Sequence, residues 1–162
     1  MPTLRPIGKW HLLGVLAMVA LIAGGCASGA STTHGMPITR LTGGQEIPPV
    51  GGNNTGSTDI VITLTRCAGA AVGGAYCPQA YGAVTVTGFT PTAAHIHRAK
   101  SGANGPVILT LIKTGENSFA VPDRAFISDS DFGAYNDNEL YVNVHSANNP
   151  NGEVRGQLRP TP

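Results

Sequence analysis

Leu140-Tyr-Val-Asn-Val-His145 decides how the chain is read. Residues two apart in an extended strand share a face. With Leu140, Val142 and Val144 turned to a core, Tyr141, Asn143 and His145 face the other way. Ala94-His-Ile-His97 repeats the pattern, with Ala94 and Ile96 inside and His95 and His97 outside. In Val154-Arg-Gly-Gln-Leu158, Val154 and Leu158 alternate with Arg155 and Gln157. Ile60, Ile62 and Leu64 alternate with threonines, as do Val84 and Val86. Val107-Ile-Leu-Thr-Leu-Ile112 is nearly continuous apolar and reads as a strand covered on both sides. Turn signals separate these runs: Gly51-Gly-Asn-Asn54, Gly102-Ala-Asn-Gly-Pro106 and Asn148-Asn-Pro-Asn-Gly152. Pro48-Pro49 ends or edges the first strand. Ser128–Asn138 is polar and has room for one short helical turn. Six to eight short strands with this punctuation predict an all-β antiparallel sandwich or barrel.

The N-terminus is of another kind. Arg5 and Lys9 precede the apolar run Leu12–Ala23, which falls short of the ~20 residues that span a bilayer and has the size of a signal-peptide core. It leads into Ala23-Gly-Gly-Cys26, which resembles a bacterial lipobox, with Ala23 where a Leu is usual. The expected organisation is a lipoprotein signal peptide over 1–25, lipidation at Cys26, a flexible tether over 26–37 that includes His34, and one domain over 38–160. Several acyl chains on Cys26 anchor a protein to a membrane stably where one chain is marginal. The alternative is ordinary secretion with cleavage after a small residue. Ala27 lacks the Asp that often marks inner-membrane retention, so the expected address is the cell envelope, at the outer membrane facing the periplasm. Cys67 and Cys77 are then an even pair in an oxidising compartment, and a disulfide closing their loop is worth roughly 2–3 kcal/mol. A two-cysteine metal site is the alternative, and it lacks partners nearby. Charged residues make up 12% and the net charge is +1. That composition offers no basic surface and excludes nucleic acid as an expected partner.

Strand parity places His95, His97, His145 and Arg155 on the same kind of face, away from the core. Imidazoles two apart on a strand have Cβ atoms roughly 6.5–7 Å apart and can converge on one ion. A third from an adjacent strand completes a three-imidazole site, a donor set suited to copper, zinc or nickel. The plainer reading is a set of hydrogen-bonded surface histidines. Arg155 has two readings as well, a role at the site or a brace for loops. No Gly-x-Ser-x-Gly elbow and no phosphate loop occurs. Asp129, Asp131, Asp137 and Glu139 read as solvated.

Leu41-Thr-Gly-Gly-Gln-Glu-Ile-Pro-Pro-Val50, Ala94-His-Ile-His97, Gly102-Ala-Asn-Gly-Pro-Val107, and Tyr141-Val-Asn-Val-His145 through Asn149-Pro-Asn-Gly-Glu-Val-Arg-Gly-Gln-Leu158 resemble the chordin (CHRD) domain in order and spacing. The resemblance covers about residues 38–160 and implies an extracellular domain rather than a defined activity. A looser resemblance is to copper/zinc superoxide dismutase, a Greek-key β-sandwich. There His95 and His97 match the first pair of copper ligands, His145 the later one, and Arg155 the substrate-guiding arginine. No histidine lies between His97 and His145, so the bridging ligand and zinc cluster have no counterpart. The resemblances imply an antiparallel Greek-key β-sandwich, immunoglobulin-like or superoxide-dismutase-like. Three functions stay open: a lipid-anchored protein binding one copper ion and more expectedly not an enzyme, a metal-free module for an envelope protein or glycan, and a copper-only dismutase-like enzyme.

Overall fold

A computed structural model describes residues 37–67, 69 and 74–160. The predicted leader, Cys26 and the tether through residue 36, His34 included, lie outside the described residues. The strands are β1 (Thr39–Thr42), β2 (Thr55–Thr58), β3 (Val61–Arg66), β4 (Tyr76–Tyr81), β5 (Ala83–Thr87), β6 (Pro91–Arg98), β7 (Val107–Thr110), β8 (Ile112–Lys113), β9 (Ser118–Ala120), β10 (Leu140–Ser146) and β11 (Val154–Gln157). A 3-10 turn, Gly43–Gln45, follows β1, and one helix, α1 (Asp129–Asn136), precedes β10.

Nine strands form one antiparallel sheet in the order β7-β6-β10-β11-β1-β2-β5-β9-β8, while β3 and β4 pair separately. The two ends of that order, β7 and β8, are neighbours in sequence with only Leu111 between them. The sheet therefore curls until its edges meet along one chain segment, a nearly closed all-β architecture. Leu111 is buried at the bend, and its N–H donates to the Ala94 carbonyl at 2.9 Å. This corrects the reading of Val107–Ile112 as one strand covered on both sides. The segment breaks at Leu111, and Val107 and Ile112 are exposed. A seam strand has a core side and a wet side, and a continuous apolar run cannot tell that from double burial.

The core holds most of what alternation selected, Ile60, Ile62, Val84, Val86, Ala94, Ile96, Leu140, Val142, Val144, Val154 and Leu158, joined by Leu41 and Ala80, while Leu64 of the same alternating set is exposed because the β3–β4 hairpin has run past the core there. α1 is longer than the expected single turn. The Ser128 hydroxyl accepts from the Asp131 N–H, Asp129 and Asp131 lie in the first turn, and Ala134 and Tyr135 pack into the core. The β3–β4 hairpin runs past the core and is clipped by the Cys67–Cys77 disulfide, Cα–Cα 5.0 Å, as expected. Among the described residues no helix is long and apolar enough to cross a membrane.

Candidate metal centre

The register of the sheet assembles the three histidines. In the β6–β10 ladder His97 pairs with Tyr141, His95 with Asn143, and Ala93 with His145. His145 is thus the diagonal neighbour of His95, within reach of a long or aromatic side chain. Register irregularities fall beside two of the three, at Ile96/His97 against β7 and at His145/Ser146 against β6. Such bulges re-aim side chains.

His95 Nδ1 and His145 Nε2 lie 2.9 Å apart, and the three residues each offer a ligand nitrogen within 4.8 Å of the others. Metal–imidazole bonds of ~2.0–2.1 Å allow two ligands of one ion to sit at most about 4 Å apart. The widest separation therefore has to close by under about 1 Å, and imidazole χ2 is soft enough for that. His97 Nδ1–H donates to the Gly105 carbonyl at 2.9 Å, and His145 Nδ1–H donates to the Pro150 carbonyl at 3.0 Å. Both bonds leave Nε2 with its lone pair, the tautomer that binds metal. His145 Nε2 faces His95, whereas His97 Nε2 is buried with no hydrogen-bond partner. A buried acceptor left unmet costs about 1–3 kcal/mol, so it marks a place for a missing partner. Burial holds all three imidazoles below the usual histidine range. For His97 and His145 the carbonyl bonds oppose this, while neighbouring imidazoles, and Arg155 beside His97, add to it. The cluster is a set of neutral donors at physiological pH.

Parity placed these side chains on the correct side of the sheet, but that side is not a surface. Tyr141, Asn143 and Arg155 on it are buried, Arg155 to 2% exposure. The cover comes from the segments after β1 and after β6. Asn104 Nδ2 donates to the Ile47 carbonyl, Gln157 Nε2 to the Ala99 carbonyl, and the Gly105 N–H to the Tyr141 hydroxyl. Arg155 donates to Asn104 Oδ1 and the Lys100 carbonyl, which braces the loops, and its guanidinium carbon also lies over the Tyr141 ring, 3.4 Å from the centroid, so its contacts serve both the loops and the histidine layer. Gly105 has to be glycine, because a Cβ there would lie 1.9 Å from the Arg98 carbonyl oxygen.

Sequence reasoning missed two groups in this layer. Tyr141 stacks on His97, ring centroids 4.8 Å apart and planes at 10°. Its parity was visible, but its partner depends on a register no local pattern reports. Glu46, 5% exposed, sits beside Asn143, which donates to its Oε2 at 3.4 Å. Its Oε1 and Asn143 Oδ1 are both buried without partners. Burial pushes the Glu46 carboxyl up to about 7, Arg155 pulling it down and Glu153 pushing it further up. The proton that a neutral Glu46 carries would supply the donor this pair of acceptors lacks. Glu153 is the opposite case. Burial opposes its ionisation, but bonds from Asn149, Ser146 and Asn54 outweigh that and hold it below its ordinary value.

Compared with known proteins, the chain matches the family model described as the CHRD domain over residues 38–158. No curated protein and no solved structure matches it.

Proposed function

The chain belongs to the CHRD domain family, and from that premise we propose that it is an exported, lipid-anchored envelope protein that binds one copper ion through His95, His97 and His145. The observation that carries the reading is the convergence of three neutral imidazoles on one point, with His97 Nε2 buried and unpartnered there. The donor set favours copper. It holds nitrogen alone, and among divalent first-row ions copper binds such ligands most tightly. A thiolate centre would need cysteines, and Cys67 and Cys77 are committed to the disulfide. The ligands sit on strands braced by two loop carbonyls, which suits retention of an ion.

The test is metal analysis of the domain purified without added metal, then titration with Cu²⁺. One ion per chain and its loss in His97→Ala support the reading, and unchanged uptake by a variant lacking all three histidines overturns it. Dismutation is a finer claim, checked by assaying the loaded domain against free copper. The anchor is tested by Cys26→Ser, which moves the protein from the membrane to the soluble fraction if the lipid holds it.

A recognition role has its own supporting observation: Leu64, Tyr76, Tyr81 and Phe126 are large, apolar and exposed around the β3–β4 hairpin. Leu64 and Tyr76 share one face of the hairpin, and exposed apolar side chains grouped in this way mark interaction sites. Polar substitutions there would abolish capture of an envelope protein or glycan while leaving copper uptake intact, and normal capture by such variants counts against it.

A further inference from the structure

We propose that Tyr141 and Arg155 are positioning residues for His97, forming a stacked column that holds its ring in one plane and one tautomer with Nε2 turned to the other two histidines. The inference deepens the metal reading, since what it positions is one of the proposed ligands.

The sheet order sets the column. β10 lies between β6 and β11; Tyr141 pairs with His97 on β6, and Arg155 on β11, which pairs with Asn143, reaches diagonally over the Tyr141 ring. The His97 ring lies 4.8 Å from the Tyr141 ring and nearly parallel to it. The Arg155 guanidinium carbon lies 3.4 Å from the Tyr141 ring centroid. A planar guanidinium stacks on an aromatic face in a way an ammonium does not. Arginine, tyrosine and histidine are therefore layered across three neighbouring strands.

The column is also tied through one loop residue. The Gly105 carbonyl accepts the His97 Nδ1–H, and the Gly105 N–H donates to the Tyr141 hydroxyl. Arg155 grips the same loop at Asn104 and Lys100. Tyr141 thus controls His97 by its face and by the peptide that fixes the tautomer, and Arg155 presses on both. A simple filler of the space under the loops would need neither the parallel stacking nor the shared glycine. Partners that orient a ligand histidine typically change metal affinity 10–100-fold when removed.

The full chain serves for the test, read two ways. Long-range ¹H–¹⁵N correlation on metal-free protein reports the His97 tautomer, and competition titration reports Cu²⁺ affinity. Wild type shows the Nδ1–H form alone. Tyr141→Leu removes the stack and gives mixed tautomers with about 10–100-fold weaker Cu²⁺ binding. Tyr141→Phe keeps the stack, loses only the hydroxyl acceptor, and restores most of both signals. Arg155→Lys keeps the charge, loses the plane, and falls between. Val86→Ala, a core change on β5, lowers thermal stability without moving either signal. Wild-type tautomer and affinity in folded Tyr141→Leu and Arg155→Lys overturn the proposal, as does the same loss in Val86→Ala. Should Tyr141→Leu not fold, Arg155→Lys and Tyr141→Phe decide it alone. Tautomer mixing in the variants while wild type takes up no Cu²⁺ upholds the column and sinks the metal reading, so the two failures are separate.

Discussion

Two regions alternate apolar and polar residues in the same way and end differently. On β6, β10 and β11, the side chains turned from the core are buried a second time, beneath the loops after β1 and β6. On the β3–β4 hairpin, Ile62 and Ala80 enter the core, but Leu64 and Tyr76 further along remain 51% and 62% exposed. The first region is held by buried hydrogen bonds and stacking, the second by a covalent clip at its far end. Alternation states which side of a strand a residue takes. Whether that side is wet depends on segments distant in sequence that do or do not fold over it.

The comparison breaks first at Gly105. A Cβ there meets the Arg98 carbonyl oxygen at 1.9 Å, so Gly105→Ala has to displace the loop that covers the histidines. Chemical denaturation should show a loss of about 3 kcal/mol, and copper affinity should fall with it because the His97 acceptor moves. Stability near wild type would mean that the loop cover is dispensable.

Removing the clip by Cys67→Ser with Cys77→Ser should cost about 2–3 kcal/mol by the loop-entropy account. Here copper affinity should stay within about twofold, since additivity holds for sites without shared partners. A matching drop in affinity would show that the two regions are coupled.

Glu46 gives the smallest effect and the sharpest pH signature. Its unfolded carboxyl ionises near 4.5, whereas the folded one keeps its proton to about 7. Across that window the folded state binds more protons than the unfolded, so stability falls as pH rises. Glu46→Gln carries a permanent donor toward Asn143 Oδ1 and no charge. It should match wild type near pH 4.5 and exceed it by about 1–2 kcal/mol above pH 7. Parallel stability–pH curves for the two proteins would mean that Glu46 titrates in the fold as it does in water.

Much of the architecture was legible. The β6, β10 and β11 patterns identified core residues one by one, and the same parity put His95, His97 and His145 together on one side. Cys67–Cys77 followed from counting. Val107–Ile112 was misread because an apolar run reports hydrophobicity and not how many faces are covered. Tyr141 and Glu46 escaped because nothing local distinguishes a buried tyrosine or glutamate from an exposed one.

By itself the amino-acid order determined the all-β class, the inward faces of β5, β6, β10 and β11, the cysteine pair and the common side of the three imidazoles, since these follow from a period of two and from residue chemistry. Only the tertiary structure decided the register that sets His97 against Tyr141, the closure of the sheet at Leu111, and the loops that bury Arg155 and Glu46. Those depend on contacts between residues far apart in the chain, where the free energy of covering one segment is supplied by another.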